Sequence, residues 1–196
     1  MLITLEGIDG AGKTTVAAAL AAALGAALLR EPGGVALSER IRALVKDPAL
    51  RVDPRAEALL YAAARAQLVA EQLRPRLAAG ETVVLDRFVD SSLAYQGAGR
   101  DLGVEEIRRL NDFGTGGLVP DRTLLLRIEP EEALARAADR GEAADRLERE
   151  ALGFFAAVAA GYDALAAAEP ERFAVIDAAQ PRERVLADCL AALGRG

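Results

Sequence analysis

The sequence predicts one three-layer α/β domain, a five-stranded parallel sheet with helices on both faces. Three observations carry that expectation. Five short apolar segments alternate with segments of helical character, the order that gives a parallel sheet covered on both sides. The first apolar segment runs directly into a glycine-rich loop and then a helix. No repeat or linker divides the 196 residues, a length suited to one domain with a substantial core.

The elements follow in order. Leu2 to Glu6 reads as a buried strand, and Thr14 to Leu24 as a helix ended by Gly25. Ala26 to Arg30 is a second strand, stopped by the turn signal Glu31-Pro32-Gly33-Gly34. Ser38 to Val45 reads as helix, and Pro54 to Ala79 as a long helix that Pro75 should kink or end. Thr82 to Leu85 is a strand finishing at Asp86-Arg87, followed by helices over Ser91 to Gly97 and Val104 to Phe113. Thr123 to Ile128 is the fourth strand, with a helix from Pro130. An Arg-rich segment, Arg136 to Arg149, leads into a helix reaching about Ala168. Phe173 to Ile176 and Pro181 to Leu193 supply the last strand and helix.

Composition narrows the chemistry. Apolar residues make up 52% and aromatic ones only 4%, so the chain folds around leucine, valine and alanine. The net charge of -6 argues against a general nucleic-acid binder, which needs a basic surface. Histidine is absent and Cys189 is the single cysteine. That removes histidine-based triads, histidine-bound metals, intrachain disulfides and cysteine-rich zinc sites. The work falls to carboxylates, Lys, Arg, hydroxyls, backbone amides and bound ions. The N-terminus lacks a signal-peptide pattern. The longest uncharged run, Val16 to Leu29, is too short to span a bilayer. A cytoplasmic protein without membrane partners is expected.

Gly7-Ile8-Asp9-Gly10-Ala11-Gly12-Lys13-Thr14 matches the phosphate-loop pattern G-x-x-x-x-G-K-[ST]. Its glycines let successive N–H groups point at phosphate oxygens. Lys13, read as a solvent-facing loop side chain, should reach the β- and γ-phosphates. The Thr14 hydroxyl should bind Mg²⁺, and the helix N-terminus from Thr14-Thr15 adds its positive end. A nucleoside triphosphate is the implied ligand. The loop alone does not separate a kinase from a nucleotide-driven switch or assembly ATPase.

Other segments bear on the acceptor. Tyr61 and Arg65 lie four apart on one helix face, where a ring can stack on a base and a guanidinium can donate to its carbonyl edge. An ordinary surface cation–π pair, or a buried Tyr61, explains that spacing equally well. Asp86-Arg87 emerges at the carboxyl end of a strand, where open α/β sheets bind ligands. Asp86 is placed to hold Mg²⁺ and Arg87 to bind an acceptor phosphate, although a structural ion pair is the alternative.

Glu6-Gly7-Ile8-Asp9-Gly10, Arg30-Glu31-Pro32-Gly33-Gly34-Val35, Asp86-Arg87-Phe88 with Ser91-Ser92-Leu93-Ala94-Tyr95-Gln96-Gly97, and Arg140-Gly141-Glu142 with Asp145-Arg146-Leu147-Glu148 occur in this order. Together they resemble the bacterial thymidylate kinase family over nearly the whole chain, to Ile176-Asp177-Ala178. The resemblance implies a P-loop nucleoside monophosphate kinase fold, ATP as donor, Mg²⁺ as cofactor, dTMP as acceptor and a homodimer. It implies that Tyr61 and Arg65 grip thymine, that Ser92 and Gln96 contact it, and that Tyr95 packs near the sugar. It places Arg42 on the acceptor phosphate, with Asp9 and Glu31 near the sugar and phosphate. Gly7 to Thr15 are implied on ATP, with Arg136 an adenine contact or, like Arg149, a surface charge.

A solvated charged helix face is the usual meaning of the Arg136 to Arg149 run, but Gly141 interrupts it, and the segment resembles the mobile lid of such kinases. Because Ala11 is uncharged, the resemblance is to the branch with catalytic arginines in the lid. Arg140 and Arg146 are the expected pair, beside Lys13 and Arg87. Ala64, Leu68 and Arg127 depart from the family pattern, and Ala143-Ala144 makes the lid one residue longer than in some relatives. Kinases of dUMP or of a cytidine nucleotide are the nearest alternatives.

Overall fold

The structure is a computed structural model and describes residues 1–139 and 145–194. Its five strands are β1 (Leu2–Glu6), β2 (Ala27–Arg30), β3 (Val83–Asp86), β4 (Arg122–Arg127) and β5 (Phe173–Asp177). They form one parallel sheet in the order β2-β3-β1-β4-β5. The chain leaves β1 to one side for β2 and β3 and returns to the other side for β4. That reversal opens a crevice at the carboxyl ends of the central strands. In register, Leu5 of β1 and Arg30 of β2 both pair with Asp86 of β3, so these residues stand level at the mouth of the crevice.

The strands bury both faces. Ile3, Leu5 and Val84 join a core cluster with Val16, Ala17 and Leu20 of α1 (Lys13–Leu24). Leu2, Val83 and Leu85 pack instead with Leu68, Val69 and Leu73. Helices on two sides therefore exclude water from a sheet of mainly apolar residues, the expected three layers. At about 25 cal/mol per Å² of apolar surface, this burial is the main favourable contribution to folding.

Two helices depart from the expected outlines. The long helix begins as α3 (Pro54–Leu68), capped by the Asp53 carboxylate on the Arg55 N–H. It passes through a π-helical turn, Val69–Leu73, and continues as α4 (Arg74–Ala78). Pro75 thus neither ends the helix nor breaks it. The wide turn, in which the Arg74 N–H reaches back to the Val69 carbonyl, supplies the room a proline ring needs against the preceding turn. After β3, α5 (Val89–Ser92) gives way to a second wide turn, Leu93–Gly99, where a plain helix was expected. That turn carries Tyr95 and Gln96. The remaining helices are α2 (Ala36–Lys46), α6 (Val104–Thr115), α7 (Pro130–Ala138), α8 (Leu152–Ala168) and α9 (Arg182–Ala192), close to expectation. Among the described residues no helix is long and apolar enough to cross a membrane.

Candidate active site

The loop after β1 is shaped by close backbone approach. Gly10 has φ +88°, and a Cβ there would lie 2.0 Å from the Ala133 carbonyl oxygen. Only glycine fits. The loop delivers Lys13 to the first turn of α1, where its ammonium donates to the Ile8 carbonyl at 2.7 Å. Lys13 is buried, not solvent-facing as expected. Burial, with Arg87 nearby, pushes its ammonium down to about 8. The Thr14 hydroxyl donates to Asp86 Oδ2 at 2.6 Å.

Asp86 Oδ1 is buried with no hydrogen-bond partner. A hydroxyl beside an under-satisfied carboxylate is the hard-oxygen donor set Mg²⁺ takes, with water and phosphate completing the shell. No cluster of three or more metal-binding side chains occurs among the described residues. A site built from one hydroxyl and one carboxylate therefore suits an ion that arrives with a nucleotide.

Arg87 follows directly, in the left-handed region at φ +71°. Such a backbone is uncommon for a bulky residue, and here several contacts fix it. The Arg87 N–H donates to the Leu5 carbonyl. Its guanidinium donates to the Gly7 carbonyl at 3.0 Å and to Asp9 Oδ1 at 2.5 Å, and lies over the Tyr95 ring. Tyr95 in turn donates to Asp9 Oδ2 at 2.9 Å. Burial alone would raise the Asp9 carboxyl, but Arg87 and Lys13 outweigh it and hold it below the usual range.

Beneath this group sits Glu6, fully buried. It accepts from the Phe88 N–H at 2.7 Å, the Ser91 hydroxyl at 2.5 Å and the Tyr162 hydroxyl at 2.9 Å. Burial, with Asp90 nearby, pushes its carboxyl up to about 7. Ser91 also accepts from Arg87 at 3.2 Å, so Glu6 braces the turn that aims Arg87.

A cleft of about 510 Å³ runs from Gly10, Lys13 and Thr14 past Asp86 and Arg87 to Tyr61. Asp9, Thr15, Glu31, Arg42, Tyr95, Gln96 and Arg136 also line it. Arg136 donates to the Ala178 and Ala179 carbonyls, tying α7 to the loop after β5. Arg42 donates to the Pro32 carbonyl at 3.0 Å. Tyr61 lines the cleft half-buried, and its hydroxyl has no hydrogen bond among the described residues.

Some expected residues stand elsewhere. Arg65 and Ser92 lie behind the cleft wall. Arg65 is 2% exposed and donates to Glu31 Oε2 at 2.7 Å, the Ser92 hydroxyl at 2.8 Å, the Phe88 carbonyl at 2.9 Å and the Asn111 side-chain oxygen. Glu31 keeps its other oxygen without a partner. Burial, opposed by Arg65, pushes its carboxyl up to about 7. Gly7, Ile8 and Ala11 shape the loop from behind and do not line the cleft.

Arg146 also lies off the cleft. It donates to Glu57 Oε2 at 2.5 Å and to the Val45 carbonyl at the end of α2. Beside it, Asp145 pairs with Lys46 at 2.7 Å. Arg140 lies outside the described residues, as does the Ala143-Ala144 insertion. Of the departing positions, Ala64 and Leu68 are core, and Arg127 pairs with Asp163 and Glu129.

Sequence reasoning missed Glu57, Arg100, Asn111 and Glu6. Glu57 precedes Tyr61 by four residues on the same helix face, the spacing that picked out Tyr61 and Arg65, and so could have been found. Glu6, ending an apolar strand, was a comparable signal. Nothing local marked Asn111.

A phosphate-binding loop, a carboxylate–hydroxyl pair at the next strand and a second, polar pocket across the same crevice define a P-loop nucleoside monophosphate kinase. Comparison with known proteins narrows this. Residues 5–189 match the family model "Thymidylate kinase", and the chain belongs to the thymidylate kinase family. It is 51% identical to the thymidylate kinase of Deinococcus radiodurans, covering 98% of this chain and 96% of that one. It is 48% identical to that of Lactobacillus helveticus, over 97% and 94%. The crystal structure of thymidylate kinase from Ehrlichia chaffeensis superposes with a TM-score of 0.81 at 31% identity, over 99% of this chain and 98% of that one.

Proposed function

We propose that this chain transfers the γ-phosphoryl group of ATP to the phosphate of dTMP, giving dTDP and ADP. The observation that carries the reading is the single cleft joining the Lys13 and Thr14–Asp86 loop to a polar pocket containing Arg42, Tyr61 and Gln96, with Arg87 between. A phosphate-oxygen of dTMP attacks the γ-phosphorus, a P–O bond forms, and the bond to the β-phosphate oxygen breaks. A phosphate monoester is largely dianionic near neutral pH, since its second pKa is about 6, so the nucleophile needs no strong base.

The chain's residues hold two anions in line and neutralise them. Lys13 and the loop N–H groups grip the donor phosphates. Arg87 and Arg42 take the acceptor phosphate, and Asp9 holds the Arg87 guanidinium in place. Thr14 and Asp86 would hold Mg²⁺, which when bound offsets charge on the β- and γ-phosphates. Arg136, with the carbonyls of residues 178 and 179, faces the adenosine end, beside Thr15. Tyr61, Gln96 and Tyr95 receive the thymine and sugar. Glu31 lines that pocket, and Arg65 and Ser92 support it from behind. Arg140 and Arg146 supply further positive charge from the lid. Arg146 does so by leaving Glu57 and the Val45 carbonyl.

We further propose a cytoplasmic homodimer. Leu59 of α3 and Phe113 of α6 are 57% and 91% exposed, and α3 and α6 lie against each other. A second copy covering them would remove that apolar surface from water. A coupled assay with ATP, Mg²⁺ and a panel of monophosphates tests the activity. ADP formed with dTMP, and lost on chelating Mg²⁺, is expected. ADP formed without any acceptor, or only with a cytidine nucleotide, would overturn the reading. Sedimentation at micromolar concentration should give twice the chain mass.

A further inference from the structure

We infer that Glu57 sets the base preference of the acceptor pocket by fixing which end of the Gln96 side-chain amide faces the cleft. The inference rests on the acceptor-pocket reading above. Glu57 projects from the first turns of α3 and has no solvent exposure. Its Oε1 accepts from Gln96 Nε2 at 2.9 Å and from Arg100 Nε at 3.3 Å. Its Oε2 accepts from Arg100 Nη2 at 3.2 Å and Arg146 Nη2 at 2.5 Å. Both oxygens are thus committed, and two guanidinium groups face the carboxylate.

A carboxylate only accepts hydrogen bonds. Turning the Gln96 amide over would set its oxygen against Glu57, acceptor against acceptor, in a site with little water. The orientation with Nε2 toward Glu57 is therefore fixed by chemistry. Gln96 is itself 2% exposed, and its backbone carbonyl, in the second wide turn, accepts from the Leu102 N–H just beyond it. What remains for the cleft is the amide oxygen, which accepts no hydrogen bond among the described residues. Gln96 lines the cleft beside Tyr61.

An acceptor in that place suits a base whose ring nitrogen carries a hydrogen. Thymine and uracil present N3–H as a donor. Cytosine presents N3 as an acceptor, so two lone pairs would meet. Leaving such a pair buried and unmatched is worth roughly 5- to 150-fold in an equilibrium. Glu57 never touches the base. It is a positioning residue, acting through Gln96.

The test is Glu57→Gln. The new side chain keeps one oxygen, which Arg100 claims whether or not Arg146 has left, and its NH₂ group turns toward Gln96. The Gln96 amide then reverses and offers NH₂ to the cleft. Relative kcat/KM for dCMP against dTMP should rise about tenfold, through KM more than kcat, while dUMP tracks dTMP. Equal proportional losses for dTMP and dCMP would mean Glu57 only supports the fold, and would overturn the inference.

A second measurement needs no variant. In the parent protein the Gln96 side-chain amide protons should exchange with solvent far more slowly than those of exposed Gln180. Exchange at the same rate would overturn the inference even if the variant fails to fold. A parent that ignores dTMP would instead overturn the activity reading, and the exchange measurement would still decide the amide's orientation.

Discussion

At the donor end of the cleft, Gly7 to Thr14 are eight consecutive residues whose shape is set by the backbone: a left-handed glycine against the Ala133 carbonyl, and Lys13 folded onto Ile8. At the acceptor end, Glu31, Arg65, Ser92 and Asn111 come from four separated segments and are held by buried charge and hydrogen bonds. The first end should keep its form when a functional side chain is removed. The second should not, because Arg65, which backs the pocket, also holds Glu31, Ser92 and Asn111 in place. Function and stability should therefore be separable at one end and joined at the other.

Lys13→Ala is the sharpest test of the first half of that comparison. It removes the charge we propose meets the β- and γ-phosphates, and turnover should fall by about 10³-fold or more. Lys13 is buried, yet its one hydrogen bond is to a loop carbonyl, so the melting temperature should stay within a few degrees. A large loss of both would show that the loop depends on the lysine for its shape.

Arg65→Ala tests the other end. Truncation removes the guanidinium that opposes burial at Glu31, so that buried carboxyl is raised further and held without its partner, and Ser92, Asn111 and the Phe88 carbonyl lose their donor. Breaking a buried pair from one side costs about 3–5 kcal/mol, so urea unfolding should show the loss along with weaker dTMP binding. Arg65→Lys cannot restore four separate contacts and should recover only part. Full stability in Arg65→Ala would mean Glu31 is held some other way.

The same contrast decides what could be read in the sequence. The donor loop was legible because its chemistry is encoded in adjacent residues with fixed backbone demands. The strands were legible because burial on both faces leaves little but apolar residues, and β1, β2, β4 and β5 fell within about one residue of expectation. At β3, Asp86 proved to be the strand's last residue. The acceptor pocket was legible only through family resemblance. Tyr61 and Gln96 do line the cleft, but helix spacing could not tell that Arg65 stands behind the wall. Nor could it show that Glu57 joins Gln96, Arg100 and Arg146, since those contacts span 39 to 89 residues. The two π-helical turns were invisible because they differ from a helix by one residue in hydrogen-bond register.

Two glycines separate steric from conformational demand inside the loop. At Gly10 an added Cβ meets a carbonyl oxygen, whereas at Gly12 it meets nothing within 4 Å and only the positive φ resists it. Gly10→Ala should cost about 3 kcal/mol, combining overpacking with backbone strain. Gly12→Ala should cost about 1 kcal/mol. Thermal denaturation of the two variants checks this, and equal costs would mean the Gly10–Ala133 approach relaxes freely.

The smallest expected effect concerns Glu6, which lies where the two ends meet. Its folded carboxyl is raised from 4.5 to about 7, chiefly by burial and then by Asp90, with Ser91, Arg87 and the Phe88 N–H opposing. Asp90 is itself paired with Arg172 at 2.6 Å. The native protein therefore holds a proton on Glu6 that the unfolded chain releases at lower pH. The stabilisation is fully present below about 4.5 and is lost as pH rises through about 7. Glu31, raised to a similar value, acts in the same direction.

Stability of the parent should decline between pH 5 and pH 8. Glu6→Gln removes one of the two contributions and keeps an oxygen for the Phe88 N–H, while the Ser91 and Tyr162 hydroxyls can turn to suit an amide. The decline should shrink by roughly 1–2 kcal/mol in the variant, as read from urea unfolding at several pH values. Parallel curves for variant and parent would show that Glu6 does not titrate in this window, and that its bracing of Arg87 carries no pH dependence.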